Sequence, residues 1–212
     1  MKKKNIRKTG ISCILVFLFW TQLVLFYDVQ PVGPNGSTVG FATWNSLFHR
    51  WTGVNMTLYT ITDWLGLIPL AVCLMFAFMG FGQMIRRKSI FKVDRDILIL
   101  GVYYVMVMSA FLFFEWIPVN YRPVLIEGVL ETSYPSSTTL LVLAVMPTFM
   151  EQVDRRAKSD RLKRIVKLFV LSFSAFMVMG RLISGVHWFT DIVGGIILSS
   201  GLFCLFTGKY HP

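Results

Sequence analysis

The sequence predicts an all-α polytopic membrane protein with six transmembrane helices and an interfacial helix in the first outer loop. Three observations predict it. The 212 residues are 55% hydrophobic with a mean hydropathy of +0.62, too apolar for a soluble domain of this length. The apolar residues form runs near bilayer-spanning length. The basic residues fall in every second gap between those runs. Of the 21 Lys and Arg residues, only Arg50, Arg122 and Arg181 lie elsewhere. That is the positive-inside signature of a bundle with both ends in the cytoplasm.

The expected spans cover about 11–27, 61–85, 97–117, 136–150, 165–183 and 191–208, one membrane domain over 1–212. The first follows Lys2, Lys3, Lys4, Arg7 and Lys8 and meets no small-x-small cleavage site, so it reads as an uncleaved helix. In the outer segment 28–60, Gly33-Pro34-Asn35-Gly36 is turn chemistry. Phe41, Trp44, Phe48 and Trp51 then recur at helical spacing. They suit an interfacial amphipathic helix or a plain covering loop. Arg86, Arg87, Lys88, Lys92 and Arg95 mark the first inner loop, before span three. Span four opens at Pro135-Ser136-Ser137-Thr138, with Pro and Ser suited to a helix start. Six basic residues over 155–164 precede span five, and a short inner tail follows span six.

The net charge of +10 is explained by anionic lipids of the inner leaflet, so no nucleic-acid partner is expected. Cys13, Cys73 and Cys204 all lie inside apolar runs and read as small core residues. Besides His187 the histidines are His49 and His211, with no metal-ligand spacing. Neither a metal nor another cofactor is expected.

The chemistry gathers at the outer ends of the spans. Arg181, His187 and Asp191 fall within eleven residues, each costly at a membrane boundary. His187 and Asp191 have i,i+4 spacing, so a carboxylate can orient an imidazole whose other nitrogen attacks. Arg181 offers a planar fork suited to phosphate. Arg122-Pro123 and the Ser136-Ser137-Thr138 helix start lie on the same outer face. Free amides at such a start bind anions; helix capping is the plainer use of the serines.

In order and placement these clusters resemble the type 2 phosphatidic acid phosphatase superfamily, whose pattern is K-x6-R-P, P-S-G-H and S-R-x5-H-x3-D. The chain matches at Arg122-Pro123, Pro135-Ser136 and Arg181-x5-His187-x3-Asp191. The resemblance implies a metal-independent lipid phosphatase of the cell membrane, with its site at the outer face. In it His187 attacks phosphorus to form a phosphohistidine and Asp191 orients it. Arg122, Arg181 and the amides near Ser136 and Ser137 hold the phosphoryl oxygens. The chain departs from the pattern at three places. Glu115 stands where the family has lysine, Thr138 where it has the acid histidine, and Gly180 where it has serine. Glu131 and Glu127 lie in the same loop as possible replacement acids, and Glu115 has the reach to pair with Arg122. Two functions follow. One is turnover of a lipid phosphate or diphosphate; the other is a degenerate member that binds lipid headgroups or a partner without turnover. A small transporter fits poorly, because the polar residues gather at one face instead of the midplane.

Overall fold

The computed structural model describes residues 3–210. Met1, Lys2, His211 and Pro212, at the ends that the charge pattern assigns to the cytoplasm, lie outside the described residues. Among the described residues eight α-helices follow one another: α1 (Lys3–Phe26), α2 (Ala42–Thr52), α3 (Met56–Leu65), α4 (Leu67–Arg87), α5 (Arg95–Trp116), α6 (Ser137–Arg156), α7 (Asp160–Ile183) and α8 (Phe189–Tyr210). Local chemistry sets their ends. The side chains of Asn55, Ser136 and Ser159 accept from the first-turn amides of α3, α6 and α7. Gly53, at φ +63, ends α2.

Five stretches among the described residues are long and apolar enough to cross a membrane: Asn5–Phe26, Met56–Arg87, Arg95–Trp116, Asp160–Ile183 and Phe189–Gly208. This is a multi-pass membrane protein. The sixth expected span, α6, has the length, at 20 residues, but it is not among the five. Its composition has a reason. Half of it is buried, and it packs on α4, α5, α7 and α8. A helix surrounded by protein needs no apolar coat, so Thr139, Thr148 and Gln152 are tolerated inside. Tyr103 donates to Ala144 O (3.0 Å), and Tyr104 shares a 2.7 Å hydrogen bond with Thr148. Both bonds tie α5 to α6.

Other boundaries differ from expectation: the first helix begins at Lys3 instead of 11 and the one expected from 165 begins at Asp160. The second helical run begins at Met56 instead of 61 and is divided at Gly66 into α3 and α4. The fourth continues to Arg156 instead of 150. The aromatic-rich part of the first outer segment is a helix, α2, and it also covers. Its inner face lies on the start of α8, where Asn45 exchanges hydrogen bonds with Thr190. Trp44, Leu47 and Trp51 face outward.

Candidate functional site

The three clusters are joined by backbone. In the α5–α6 loop, Arg122 N–H donates to Glu131 O (3.0 Å) and Ser133 N–H to Asn120 O (2.9 Å). These bonds fold the loop back so that Arg122 points inward. Trp188 Nε1–H donates to Tyr121 O (2.7 Å), which docks the α7–α8 loop on the α5–α6 loop. Ser136 N–H donates to Asp191 O (3.0 Å), which fixes the start of α6 to that of α8. The tight bend before His187 needs Gly185. Its φ is +67, and a Cβ there would lie 1.8 Å from Gly53 O.

His187 is the centre. Arg122 Nη1 and Arg181 Nη2 lie 3.3 Å and 3.4 Å from its Nε2. Both are obligate donors, so Nε2 carries the lone pair and Nδ1 the proton. Nδ1–H donates to Ser133 O at 3.1 Å, while Asp191 Oδ2 lies farther off, at 3.6 Å. The nearer orienting group is therefore a carbonyl that no sequence motif marks. Asp191 accepts from Trp188 N–H (2.9 Å). The Ser133 hydroxyl and Asn120 amide also turn toward its carboxylate without reaching good hydrogen-bond geometry. Burial first, and then the two guanidiniums, hold the His187 pKa well below its usual 6.5. The imidazole is neutral at pH 7. Arg181 is 1% exposed, His187 3% and Asp191 0%. The site is buried, with an unprotonated nitrogen between two cations.

The remaining sequence-picked residues divide. Ser136 caps α6 through Oγ, at 3.5 Å from Thr139 N. Its own amide is already occupied by Asp191 O. Of the first-turn amides of α6, those of Ser137 and Thr138 are left for an incoming acceptor. Ser137 and Glu115 line a cleft beside His187, with Phe111, Phe114 and Leu140 as its apolar wall. Glu115 accepts from Thr132 (3.0 Å). The carboxylate on Arg122 is that of Glu131, 2.9 Å from Nε but off the hydrogen-bond line. Of the uses open to Glu115, a pair with Arg122 is not formed, and the loop hydrogen bonds deliver Glu131 to Arg122 instead. Thr138 turns its methyl toward Gly66. Glu127 sits at the exposed loop tip.

Two contributors escaped the motifs. Asp63 Oδ1 lies 3.4 Å from Arg181 Nη1. The Tyr59 ring lies 4.8 Å from the Arg181 guanidinium carbon and 5.7 Å from that of Arg122. A usable signal for Asp63 was present: an acidic residue inside an apolar run.

A buried group of two guanidiniums around a neutral imidazole lies at one end of a membrane helix bundle, and such an arrangement can take up an anion beside an unprotonated nitrogen. The family model of the PAP2 superfamily matches residues 99–211, and the chain belongs to that superfamily. The fold is similar to the crystal structure of the first transmembrane PAP2 type phosphatidylglycerolphosphate phosphatase from Bacillus subtilis. The TM-score is 0.58 at 17% identity, over 95% of this chain and 94% of that one. No curated protein matches the chain at a significant level.

Proposed function

We propose that the protein is a membrane lipid phosphatase or phosphotransferase that hydrolyses a lipid phosphate or diphosphate through a phosphohistidine. The observation that carries this reading is the unprotonated Nε2 of His187 between Arg122 and Arg181. A phosphoryl group entering there displaces the arginine donors from the nitrogen and takes them on its oxygens. The amides of Ser137 and Thr138 add the helix N-terminus. Nε2 attacks phosphorus and the P–O bond to the lipid breaks. The imidazole becomes cationic, and Asp191 balances that charge. Water then attacks the phosphohistidine, releasing inorganic phosphate and restoring the lone pair. Positioning and charge stabilisation do most of the work in such transfers.

The leaving oxygen needs a proton or a low basicity of its own. The Thr138 hydroxyl is a poor general acid, and its methyl packs at Gly66. Glu131 is held by Arg122. A diphosphate, whose leaving group is weakly basic, suits this site better than a simple monoester. The same two residues support the second reading, a headgroup-binding member without turnover. The substrate set is prenyl diphosphates, phosphatidic acid and phosphatidylglycerol phosphate, the last being the class for which the Bacillus subtilis neighbour is named.

As a whole, we read 1–212 as one six-helix domain of the cell membrane, with α6 as the protein-enclosed sixth crossing. Both termini are cytoplasmic and His187 lies near the outer surface. The split of basic residues supports that orientation, and membrane lipids, not nucleic acid or metal, are its surroundings. The test is phosphate release from that lipid panel by purified protein in detergent, with acid-quench trapping of phosphohistidine. Turnover with trapping upholds the enzyme; headgroup binding without release upholds the alternative.

A further inference from the structure

We infer that Tyr59 and Asp63 of α3 are positioning residues that aim the two arginines, and that Gly180 is what brings α3 close enough to do so. The inference rests on the phosphoryl-binding reading of the Arg122–Arg181 pair.

Tyr59 and Asp63 are four residues apart, so one face of α3 carries both a ring and a carboxylate. The ring lies under both guanidiniums, and the carboxylate takes Nη1 of Arg181. With Nη1 held by Asp63, Nη2 is left pointing at His187, 3.4 Å away. Nε of Arg181 is buried with no acceptor. A buried guanidinium with an unused N–H is incomplete, since leaving such a donor unpaired is costly. A phosphoryl oxygen completes it. Fixing one edge of the fork and stacking its face leaves the other donors in a set plane for that oxygen.

The approach of α3 depends on one position. A Cβ on Gly180 would stand 2.7 Å from Thr62 Cγ2. Thr62 cannot turn away cheaply. It is fully buried, and its hydroxyl donates to Leu58 O and Tyr59 O, both at 2.9 Å. Gly180 is one of the positions where this chain departs from the S-R-x5-H-x3-D pattern. The serine of that pattern would push Thr62 away from α7, and Tyr59 and Asp63 with it. Glycine here and the α3 contact are two parts of one arrangement, and α3 lies outside the residues 99–211 that the family model matches.

The experiment measures inorganic phosphate binding, by inhibition and by thermal shift, beside kcat and KM. It uses purified full-length variants that keep the wild-type elution profile. Tyr59→Leu and Asp63→Ala should each weaken phosphate binding about tenfold, the scale of one cation–π or charge-assisted contact. Tyr59→Phe should bind as wild type, and Asp63→Glu should recover part of the Asp63→Ala loss. Gly180→Ser should weaken phosphate binding as well. Adding Thr62→Ala, which removes the opposing methyl, should restore it. A merely structural role would lower thermal stability without this pattern of rescue. If Tyr59→Leu, Asp63→Ala and Gly180→Ser all bind phosphate within twofold of a wild type that binds and turns over, the α3 role falls and the phosphatase reading stands. If the wild type neither binds phosphate nor turns over, both fall.

Discussion

The His187 end and the Asp94 end of the bundle both carry arginine and aspartate side chains and use them differently. At the Asp94 end Gln83 donates to Asp94 (2.8 Å) and accepts from Asp94 N–H (2.9 Å). Arg87 meets Asp94 at 2.8 Å, and Arg156 reaches Asp96 and Gln152. Arg87 and Arg156 both have acceptors in their own protein. At the His187 end Arg122 and Arg181 also meet carboxylates, Glu131 and Asp63, but they turn further donors toward a neutral nitrogen, and Nε of Arg181 has no hydrogen-bond acceptor. The first set of charges holds α4, α5 and α6 together; the second keeps donors to spare. Position in the membrane does not separate the two regions, because both lie at span ends. Completeness of pairing does.

The comparison breaks most sharply at His187. His187→Gln should reduce turnover on the order of 10³-fold or more, as loss of a nucleophile does, while phosphate binding survives on the arginines. A variant with wild-type phosphate release would remove the mechanism. The pH profile adds a second check. Because the folded His187 pKa is depressed, the nucleophile stays neutral below 6.5. The acid limb of kcat/KM should therefore lie below 6.5. The same shift predicts a stability change. Below 6.5 the unfolded chain takes up a proton that the folded site refuses, so this group's contribution falls as pH drops from 6.5 toward the folded pKa.

Arg122→Lys and Arg181→Lys come next. A lysine keeps the charge but loses the fork, and removal of one transition-state donor costs roughly 10²-fold. The measurement is kcat/KM on the best lipid of the panel. Lysine variants within threefold of wild type would show that charge alone suffices. Glu115→Lys should act more weakly and in the other direction. Glu115 is exposed and bonded to Thr132, so solvent screens most of its field. Tighter inhibition by inorganic phosphate, by about threefold, is the expected scale for such a surface charge. No change would place the Glu115 carboxylate outside the anion's reach.

These predictions depend on parts that the sequence showed unequally. The runs and the basic gaps carried the fold class, because lipid imposes apolarity on any face it touches. They carried α6 poorly, because α6 touches protein. The third motif put Arg181, His187 and Asp191 within eleven residues, and short-range spacing is readable. Arg122 also reached the site, brought there by hydrogen bonds within its own loop. The Ser133 carbonyl was not legible, since every residue has a carbonyl and only the folded loop chooses one. Tyr59 and Asp63 come from a different helix over a hundred residues from Arg181, and their approach depends on a missing side chain at Gly180. Charge and order allowed Glu115 a pair with Arg122 among other uses; the loop geometry gave that place to Glu131.

The smallest effect is expected at the Asp94 end, and it is the control for all the others. Asp94→Asn removes a carboxylate that pairs with Arg87 and sits near Arg156, while keeping its volume and a hydrogen-bonding side chain. These groups are partly exposed, so solvent screens the pair, and stability should fall by no more than about 1 kcal/mol. The sign with pH is fixed by the shift. The hydrogen bond from Arg87 is the main cause holding the Asp94 pKa below 3.8. The wild-type carboxylate therefore contributes fully above 3.8, and that contribution is lost as pH falls through the lower folded value. Wild type and Asp94→Asn should thus differ slightly in Tm at pH 7 and converge in strong acid. Their kcat, KM and phosphate inhibition should be the same throughout. A changed KM would mean that the Asp94 cluster sets the geometry of the His187 site through α5 or α6. Completeness of pairing would then no longer divide the molecule into a part that holds and a part that reacts.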